Sequence, residues 1–352
     1  MDKGIEEIIK LGTLAPSGEN CQPWRFAVRG NQISIFNIPE RDDSLYSWGQ
    51  RASCVAHGAV LENIVIASSA MGYEAGVRFF PDPQDAHLTA VVDLKVTAIK
   101  DEPLYSSISR RVTNRKPYKN TPLTDVQRTE LLRTSQEVGG GKIMLEENFD
   151  RIKMLAGALS MNERILFENP ALHSFFYRHI SWTAQEDQQK RLGFYIKTLE
   201  IPSPALVPMK LAAKWSFMRM LNKINFSKFI AVQNAKVYAS SSVIGAIVVP
   251  TTSREDFAMA GRLLQRLWLK LTQMGWSLQP LTGIPLLMLR VRADEIGELG
   301  TPHAELVKEM YEKITYTFGV SNGIIALCFR VGEGGEPSAR SSRLLPDIQE
   351  VS

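Results

Sequence analysis

One segment of the chain carries arginines spaced for anion binding. Residues 110–116, RRVTNRK, place Arg111, Thr113 and Arg115 at alternate positions. In extended backbone, alternate side chains point to the same face, so two guanidiniums and a hydroxyl would lie together. Guanidiniums bind phosphate through paired hydrogen bonds, and the segment contains no acidic residue. The pattern therefore predicts a phosphate clamp, although a basic run is more often a solvated surface.

Two further segments offer groups that suit a ligand. Arg340 and Arg343 form a second pair of guanidiniums near the C-terminus. The alternative for that pair is a flexible tail. Residues 279–285, QPLTGIP, follow a long helical pattern, and Pro and Gly in such a loop can turn backbone N–H groups toward a ligand. The alternative there is a simple helix–strand connection.

The most distinctive segment is 15–26, APSGENCQPWRF. Its prolines and glycine fix the backbone, and its Ser and Asn side chains supply donors and acceptors for the edge of a heteroaromatic ring. The alternative is a helix-to-strand turn in which Trp24 and Phe26 anchor the core. For those two aromatic residues, the structural interpretation is the favoured one.

Composition excludes several classes of protein. The chain has 352 residues, of which 44% are hydrophobic and 22% charged, so it is not a disordered, collagen-like or coiled-coil chain. The net charge of +4 does not favour nucleic-acid binding. The three cysteines and five histidines form no close cluster, so neither a disulfide framework nor a metal site is expected. Without a signal sequence or an apolar run long enough to span a bilayer, the expected location is cytoplasmic.

Hydrophobic periodicity predicts an α+β protein. Helical patterns cover 4–14, 51–71, 124–136, 150–168 and 253–274, whereas strand patterns cover 26–28, 33–36, 88–96, 243–249 and 324–331. The strands should form mostly antiparallel sheets with helices on their faces.

Residues 169–235 differ from their surroundings. Aromatic residues are followed by prolines and by a basic, Met-rich helical pattern over 210–222. The segment is either a helical insertion packed on the core or a lid over a ligand site, since long insertions in compact domains are often functional. The basic amphipathic helix is also compatible with a membrane surface, but no membrane partner is expected.

An internal repeat at a fixed offset of 203 residues is the most informative pattern. The matched pairs run without a gap: Gly58 and Gly261, Leu61 and Leu264, Glu62 and Gln265, Ile64 and Leu267, Met71 and Met274, Gly72 and Gly275, Tyr73 and Trp276. The repeat predicts two related halves, 1–105 and 106–352, packed as a pseudo-dimer within one chain. A cleft between like subunits is a common place for a ligand.

Together these segments resemble the nitroreductase family of FMN-dependent oxidoreductases. Residues 15–26 are similar to the family motif A-P-S-x-x-N-x-Q-P-W-x-F. The R-x-T-x-R pattern at 111–115 resembles the element that holds the FMN phosphate. Residues 274–283 resemble the element whose backbone N–H meets flavin N5, and 340–346 resemble the basic segment that also reaches the phosphate.

The order of the motifs resembles the Acg-type subgroup, in which two nitroreductase-like halves share one polypeptide. The A-P-S segment here precedes the phosphate clamp, whereas ordinary members have the reverse order. Only one copy of each occurs, so the resemblance implies one FMN site per chain. The cofactor-binding residues it implies are Pro16, Ser17, Gly18, Asn20, Arg111, Thr113, Arg115, Leu281, Thr282, Gly283, Arg340 and Arg343.

The resemblance implies electron transfer from NAD(P)H through FMN to a small conjugated acceptor such as a nitroaromatic or a quinone. No catalytic side chain or metal is expected, because the flavin carries the chemistry. Two alternatives stay open: an FMN-binding or sequestering protein with a lidded flavin, and a specialised biosynthetic flavin dehydrogenase. Cys21 replaces a small hydroxyl residue of the motif and is either a redox-active thiol or, more simply, a small buried side chain. The chain would be a monomer with an internal pseudo-dimer or a weak homodimer.

Overall fold

The computed structural model of the chain describes residues 2–351. Its α-helices are α1 (Lys3–Gly12), α2 (Arg51–Ala70), α3 (Tyr105–Arg110), α4 (Asp125–Val138), α5 (Phe149–Leu159), α6 (Met161–Glu168), α7 (Pro170–Arg178), α8 (Ala184–Lys190), α9 (Ser203–Ala212), α10 (Trp215–Asn222), α11 (Phe226–Ala239), α12 (Arg254–Gln273), α13 (Gly283–Arg292) and α14 (Thr301–Phe318). Its strands are β1 (Trp24–Arg29), β2 (Gln32–Asn37), β3 (Tyr73–Phe79), β4 (Leu88–Val96), β5 (Lys142–Glu146), β6 (Ile180–Ser181), β7 (Phe194–Tyr195), β8 (Val243–Val249), β9 (Ser277–Leu281), β10 (Ile324–Gly332) and β11 (Ile348–Glu350).

Two sheets carry most of the strands. The first has the order β11-β1-β2-β4-β3, and the second has the order β5-β8-β10-β9. Neighbouring strands in both sheets are antiparallel, except that β11 runs parallel to β1. The prediction of an α+β protein with mostly antiparallel sheets is therefore confirmed. β1 anchors the first core as expected, because Trp24 and Phe26 are both buried.

Each of the two sheets draws its strands from one of the two predicted halves, except that one strand from the C-terminal end joins the first sheet. Every strand of the first sheet lies before residue 105 except β11, which comes from the C-terminal end. Backbone pairing of Phe26 with Ile348 brings this end of the chain onto the first sheet. The tail that follows the second half therefore wraps around the first half, and the flexible-tail alternative for this region is wrong.

The long helices of the two halves pack directly against each other. α2 and α12 each have 20 residues, and their first residues, 51 and 254, differ by the repeat offset of 203. A Cβ added to Gly58 would lie 1.8 Å from the carbonyl oxygen of Ala258, and one added to Gly261 would lie 1.9 Å from that of Val55. Positions 55 and 258 also differ by 203, so the contact is reciprocal. Reciprocity of this kind is the pattern of an isologous interface; the boundaries at 105 and 106 stay a prediction.

Polar groups at this interface do not follow the symmetry. Glu62 of α2 is fully buried and forms ion pairs with Arg262, at 2.8 Å, and with Arg266. Its repeat-related residue, Gln265, instead donates from Nε2 to Oδ1 of Asn63 at 2.6 Å. The backbone approach is thus shared by the two halves, whereas the polar partners are specialised.

The insertion forms a small helical layer with a core of its own. Its buried apolar residues Ala212 and Met218 pack with Leu166 and Phe167 of α6, and aromatic side chains from α7, α10 and α11 surround this cluster. The single helix expected over 210–222 is two helices, because α9 ends at Ala212 and α10 begins at Trp215.

Other differences from the sequence prediction are local. The elements not predicted include strands β3, β5, β6, β7, β9 and β11 and the long helix α14. The pattern over 150–168 is two helices that meet at Ser160. Residues 279–285 are not a loop, because β9 runs into α13 there with Thr282 between them. The helical stretch 48–70, which contains α2, is long and apolar enough to cross a membrane, but 78% of its apolar window is buried inside the protein.

Candidate functional site

The predicted clamp, the A-P-S segment and the C-terminal arginines meet around one cavity of about 320 Å³, here named the arginine cavity. The predicted site residues that line it are Pro16, Ser17, Asn20, Arg111, Thr113, Arg115, Arg340 and Arg343. The lining residues not predicted are Leu14, Ile108, Ser109, Val112, Phe194, Thr198, Ala339 and Ser341. Most of these neighbour a predicted residue in the sequence, but Phe194 and Thr198 come from the insertion, where no local pattern marked them.

Arg111 is buried, and only some of its hydrogen-bond donors have a partner. One of its terminal nitrogens donates to the carbonyl oxygen of Leu14 at 2.7 Å, and its guanidinium lies 4.5 Å from the ring centroid of Trp268. Its buried Nε has no hydrogen-bond partner. Burial, followed by the charges of Arg343 and Arg340, lowers the pKa of Arg111 well below its ordinary value. An anion in the cavity would accept a hydrogen bond from this Nε and offset the repulsion between the guanidiniums.

The C-terminal arginines are held in place by backbone carbonyls. Arg343 donates to the carbonyl oxygen of Ala15 at 2.6 Å, and Arg340 donates to that of Ser109 at 2.6 Å. Burial, and then the charge of Arg340, lowers the pKa of Arg343 to about 10. Three guanidiniums thus converge with no ion-paired carboxylate among the residues that the structure describes, an electropositive arrangement that suits a phosphate.

Arg115 links the cavity to the insertion. It donates to the carbonyl oxygen of Thr198 at 3.0 Å, and its guanidinium lies 5.0 Å from the ring centroid of Phe194. Within residues 2–351, none of the four cavity arginines forms an ion pair with a carboxylate. The basic run is therefore not the solvated surface that was its alternative.

The A-P-S segment has an unusual backbone. Glu19, Asn20 and Gln22 all have positive φ, at 42°, 55° and 48°, a region that residues other than glycine rarely adopt. The side chain of Asn20 holds this conformation by donating to the carbonyl oxygens of Gly193, at 3.1 Å, and Ser342, at 2.9 Å. Such backbone strain is typical of ligand-binding segments that the surrounding structure over-determines.

Residues 187–200 of the insertion, here named the strap, are bonded to the C-terminal tail beside the cavity. Asp187 accepts from the backbone nitrogen of Ser342 at 2.9 Å and from its hydroxyl at 2.6 Å. Glu200 accepts in the same way from Ser338, at 2.7 Å and 2.6 Å. Phe194 and Thr198 of the strap line the cavity, so the strap covers part of it.

Four predicted cofactor residues do not line the arginine cavity. Gly18 is exposed beside it. Leu281 is the last residue of β9, and its side chain is buried. Thr282 is the N-cap of α13, which begins at Gly283. A Cβ on Gly283 would lie 1.9 Å from Oδ1 of Asn162, so this helix start packs closely on another side chain. The segment is a strand–helix junction and not an open loop, and a role for its backbone N–H groups stays a prediction.

Two carboxyl groups, one in the A-P-S segment and one next to Asn162 in α6, have pKa values raised toward neutral pH. Tyr46 donates to Oδ1 of Asn162 at 2.9 Å, and Tyr238 donates to Glu163 at 2.7 Å. Burial raises the pKa of Glu163 to about 7. Burial, with the charge of Asp42 second, raises the pKa of Glu19 to about 8. These carboxyl groups can therefore hold or release a proton near neutral pH.

Cys21 does not line the arginine cavity. Its side chain is buried, and burial raises the pKa of its thiol well above the ordinary value, so the thiolate is disfavoured. The interpretation as a small buried side chain is favoured over a redox-active thiol. Cys21 contributes to a separate cavity of about 310 Å³, whose other lining residues are Glu40, Arg41, Asp43, Arg178, His179 and Leu192.

Comparison with known proteins supports the family resemblance through individual relatives, since no family model matches the chain. The chain is 25% identical to "Uncharacterized protein MT1398" of Mycobacterium tuberculosis (strain CDC 1551 / Oshkosh) over 347 residues, 96% of this chain and 47% of that protein. It is 27% identical to "Putative NAD(P)H nitroreductase acg" of the same strain over 176 residues, 48% of this chain and 52% of that protein.

A third relative aligns over most of both chains. "Probable NAD(P)H nitroreductase PigM" of Serratia sp. (strain ATCC 39006) is 22% identical over 304 residues, 80% of each protein. By contrast, the chain spans about half the length of the two mycobacterial relatives above. The resemblance to the nitroreductase family, including its Acg-type members, is confirmed by these similarities.

Proposed function

We propose that this protein is an FMN-dependent oxidoreductase of the nitroreductase type. The observation that carries the proposal is the convergence of Arg111, Arg340 and Arg343 on one cavity, without a carboxylate partner, beside the A-P-S segment. Phosphate is the anion that such a set of guanidiniums suits, and a strained loop rich in donors and acceptors suits a heteroaromatic ring.

The residues present fit an FMN group in their chemistry. Arg111 has a free buried Nε for a phosphate oxygen, and Thr113 adds a hydroxyl beside it. Ser17 and Asn20 would bind the part of the cofactor that faces the first half. When bound, the flavin supplies electron transfer that no side chain of the protein can supply.

The remaining residues would orient the cofactor and handle protons. Arg115 fixes the strap through Thr198, which closes one side of the cavity against water. Glu19 lies in the A-P-S segment and has its pKa raised to about 8, so it could hold a proton there at neutral pH.

The donor and acceptor belong to the proposal as well. Relatives named as NAD(P)H nitroreductases support NAD(P)H as the electron donor. A small conjugated compound, such as a nitroaromatic or a quinone, is the proposed acceptor.

A cytoplasmic location and an internal pseudo-dimer are parts of the same proposal. The reciprocal contact of α2 and α12 supports the pseudo-dimer.

The strap favours a second candidate function, the sequestration of flavin with little turnover. Asp187 and Glu200 each make two hydrogen bonds to the tail, and Phe194 and Thr198 cover the cavity. A strap that stays closed would keep an electron donor away from the cofactor.

The visible spectrum of the purified protein, before and after anaerobic addition of NADPH or NADH, tests both candidates. Flavin absorbance that bleaches within seconds supports the oxidoreductase. Flavin absorbance that persists supports sequestration. Colourless protein that cannot be reconstituted with FMN would contradict the cofactor assignment itself.

A further inference from the structure

The helices α9, α10 and α11, with the turn between the last two, expose an unusual number of large apolar side chains. The exposed fractions are 68% for Val207, 51% for Leu211, 54% for Met220, 74% for Ile224, 57% for Phe229 and 50% for Val232. Scattered exposed apolar residues are normal in proteins, but a concentration in one small layer indicates an interaction surface. These residues lie on the outer side of the insertion, whose own core is formed by other side chains.

Cations are interleaved with these apolar residues. They are Lys210, Lys214, Arg219, Lys223, Lys228 and Lys236, and all six are exposed. No acidic residue occurs between Glu200 and Glu255. Among residues 2–351, none of the six forms an ion pair, in contrast to Lys10 or Lys313 elsewhere on the surface. Residues 201–253 therefore carry a formal net charge of +6.

Helical spacing places both kinds of side chain on the same face. In α11, Phe229, Val232 and Lys236 are three or four residues apart and all exposed, whereas Ala231 faces the interior. Lys228 extends the same exposed face. The apolar residues are thus flanked by cations rather than by neutral polar residues.

We propose that this face, here named the basic apolar face and defined by the exposed apolar residues and cations over 207–236, docks on an anionic lipid surface. Exposed apolar side chains beside uncompensated lysines are what insertion at the headgroup boundary requires. A second copy of the chain fits less well, because a symmetric contact would bring two +6 faces together. The expectation of no membrane partner is revised on this observation.

Co-sedimentation of the full-length protein with phosphatidylcholine vesicles, with and without phosphatidylglycerol, tests the proposal. Binding is expected only to the vesicles that contain phosphatidylglycerol, and high salt should weaken it. The triple variant K214Q/K223Q/K228Q should lower the partition constant by about a hundredfold, from roughly fivefold for each lysine. The variant I224S/F229S should also reduce binding, because it removes the apolar contact.

Matched controls come from other surfaces. K95Q/K142Q/K308Q removes the same number of exposed lysines, and V126S/Y316S removes two exposed apolar side chains, 79% and 82% exposed. Both controls should bind as the wild type does. Absence of wild-type binding, or equal losses in the controls, would overturn the proposal. Loss of a dimer in I224S/F229S, without vesicle binding by the wild type, would assign the face to a second copy instead. The assay needs no flavin, so its failure is separate from failure of the proposed function.

Discussion

The two halves of the chain share their central packing and differ in the buried polar groups of the paired helices. α2 and α12 have the same length, are in register with the repeat, and approach each other through Gly58 and Gly261. Glu62 and His57 of α2 are replaced by Gln265 and Ala260 at the related positions of α12. Close backbone contact requires glycine at the crossing point of both helices. The polar side chains differ because each helix offers them different partners.

The candidate site shows the same division. The first half supplies the strained A-P-S segment, and the second supplies the arginine clamp and the tail that joins the first sheet through β11. Neither half contains both elements, so one cavity is built from two halves that no longer duplicate each other.

The largest expected effect comes from breaking the shared packing. The double variant Gly58→Ala/Gly261→Ala places methyl groups within 2 Å of backbone carbonyls, at 1.8 Å and 1.9 Å, and should abolish cooperative unfolding. Gly157→Ala in α5 is the matched control, because nothing lies within 4 Å of its added Cβ. The control should gain about 0.5–1 kcal/mol through helix propensity. A double variant with wild-type thermal unfolding would contradict the reciprocal packing.

Making the two helices more alike should also cost stability. Glu62→Gln matches the residue at 265 but leaves Arg262 and Arg266 without their buried carboxylate. Breaking a buried ion pair in this way costs about 3–5 kcal/mol. Urea unfolding measures the loss, with the exposed Glu255→Gln as control. An equal effect in both variants would show that the buried pairs do not distinguish α2 from α12.

Sequence patterns were most successful where a local rule fixes the structure. The apolar run of β8 has the predicted bounds, and the capping box of Thr124 and Gln127 forms at the start of α4 as expected. β3 was missed because its residues alternate only between half-buried and exposed, which gives a weak pattern.

The candidate site was predictable in part for the same reason. Motif spacing pointed to the arginines and to the A-P-S segment, which the structure places around one cavity. The lid interpretation of 169–235 anticipated a segment over the site, but not which residues would reach it. Phe194 and Thr198 line the cavity because Asp187 and Glu200 bond to a tail more than 130 residues away. The packing of Gly283 on Asn162 is likewise a long-range contact that no local pattern encodes.

His57 provides a pH test of the difference between the helices. Its ring nitrogens lie 2.6 Å from Oγ1 of Thr89 and 2.8 Å from the carbonyl oxygen of Pro23, and burial lowers its pKa to about 4. The neutral ring is favoured in the folded state, so this stabilisation is present above pH 6.5 and is lost as the pH falls toward 4. The shift corresponds to about 3 kcal/mol in full. An NMR titration of the ring near pH 6.5 would contradict this account.

Arg111 should contribute more to FMN affinity than its neighbour. Arg111→Ala removes charge-assisted bonds worth about 1.5–3 kcal/mol, which should weaken FMN binding roughly tenfold to a hundredfold. Arg110→Ala is the control, because Arg110 is exposed and outside the cavity. Calorimetric titration of FMN into both apo-variants gives the comparison. Equal affinities would mean that the phosphate lies elsewhere.

Loosening the strap should have the smallest effect on affinity but a direct effect on access. Asp187→Asn/Glu200→Gln weakens the bonds to Ser342 and Ser338, so NADPH should reduce the bound flavin several times faster. Stopped-flow bleaching measures this rate, and Asp150→Asn/Glu255→Gln, at exposed positions, serves as the control. An unchanged rate would show that the strap does not limit access.

The stoichiometry of FMN binding tests most directly whether the two halves build one site. Apo-protein of known concentration is titrated with FMN by calorimetry and by quenching of flavin fluorescence. One FMN per chain, lost in the double variant Arg111→Ala/Arg343→Ala, is the expected result, because the sequence has one A-P-S segment and one clamp and the arginine cavity draws on both halves. Two FMN per chain, or one FMN still bound at full affinity by the double variant, would contradict the account.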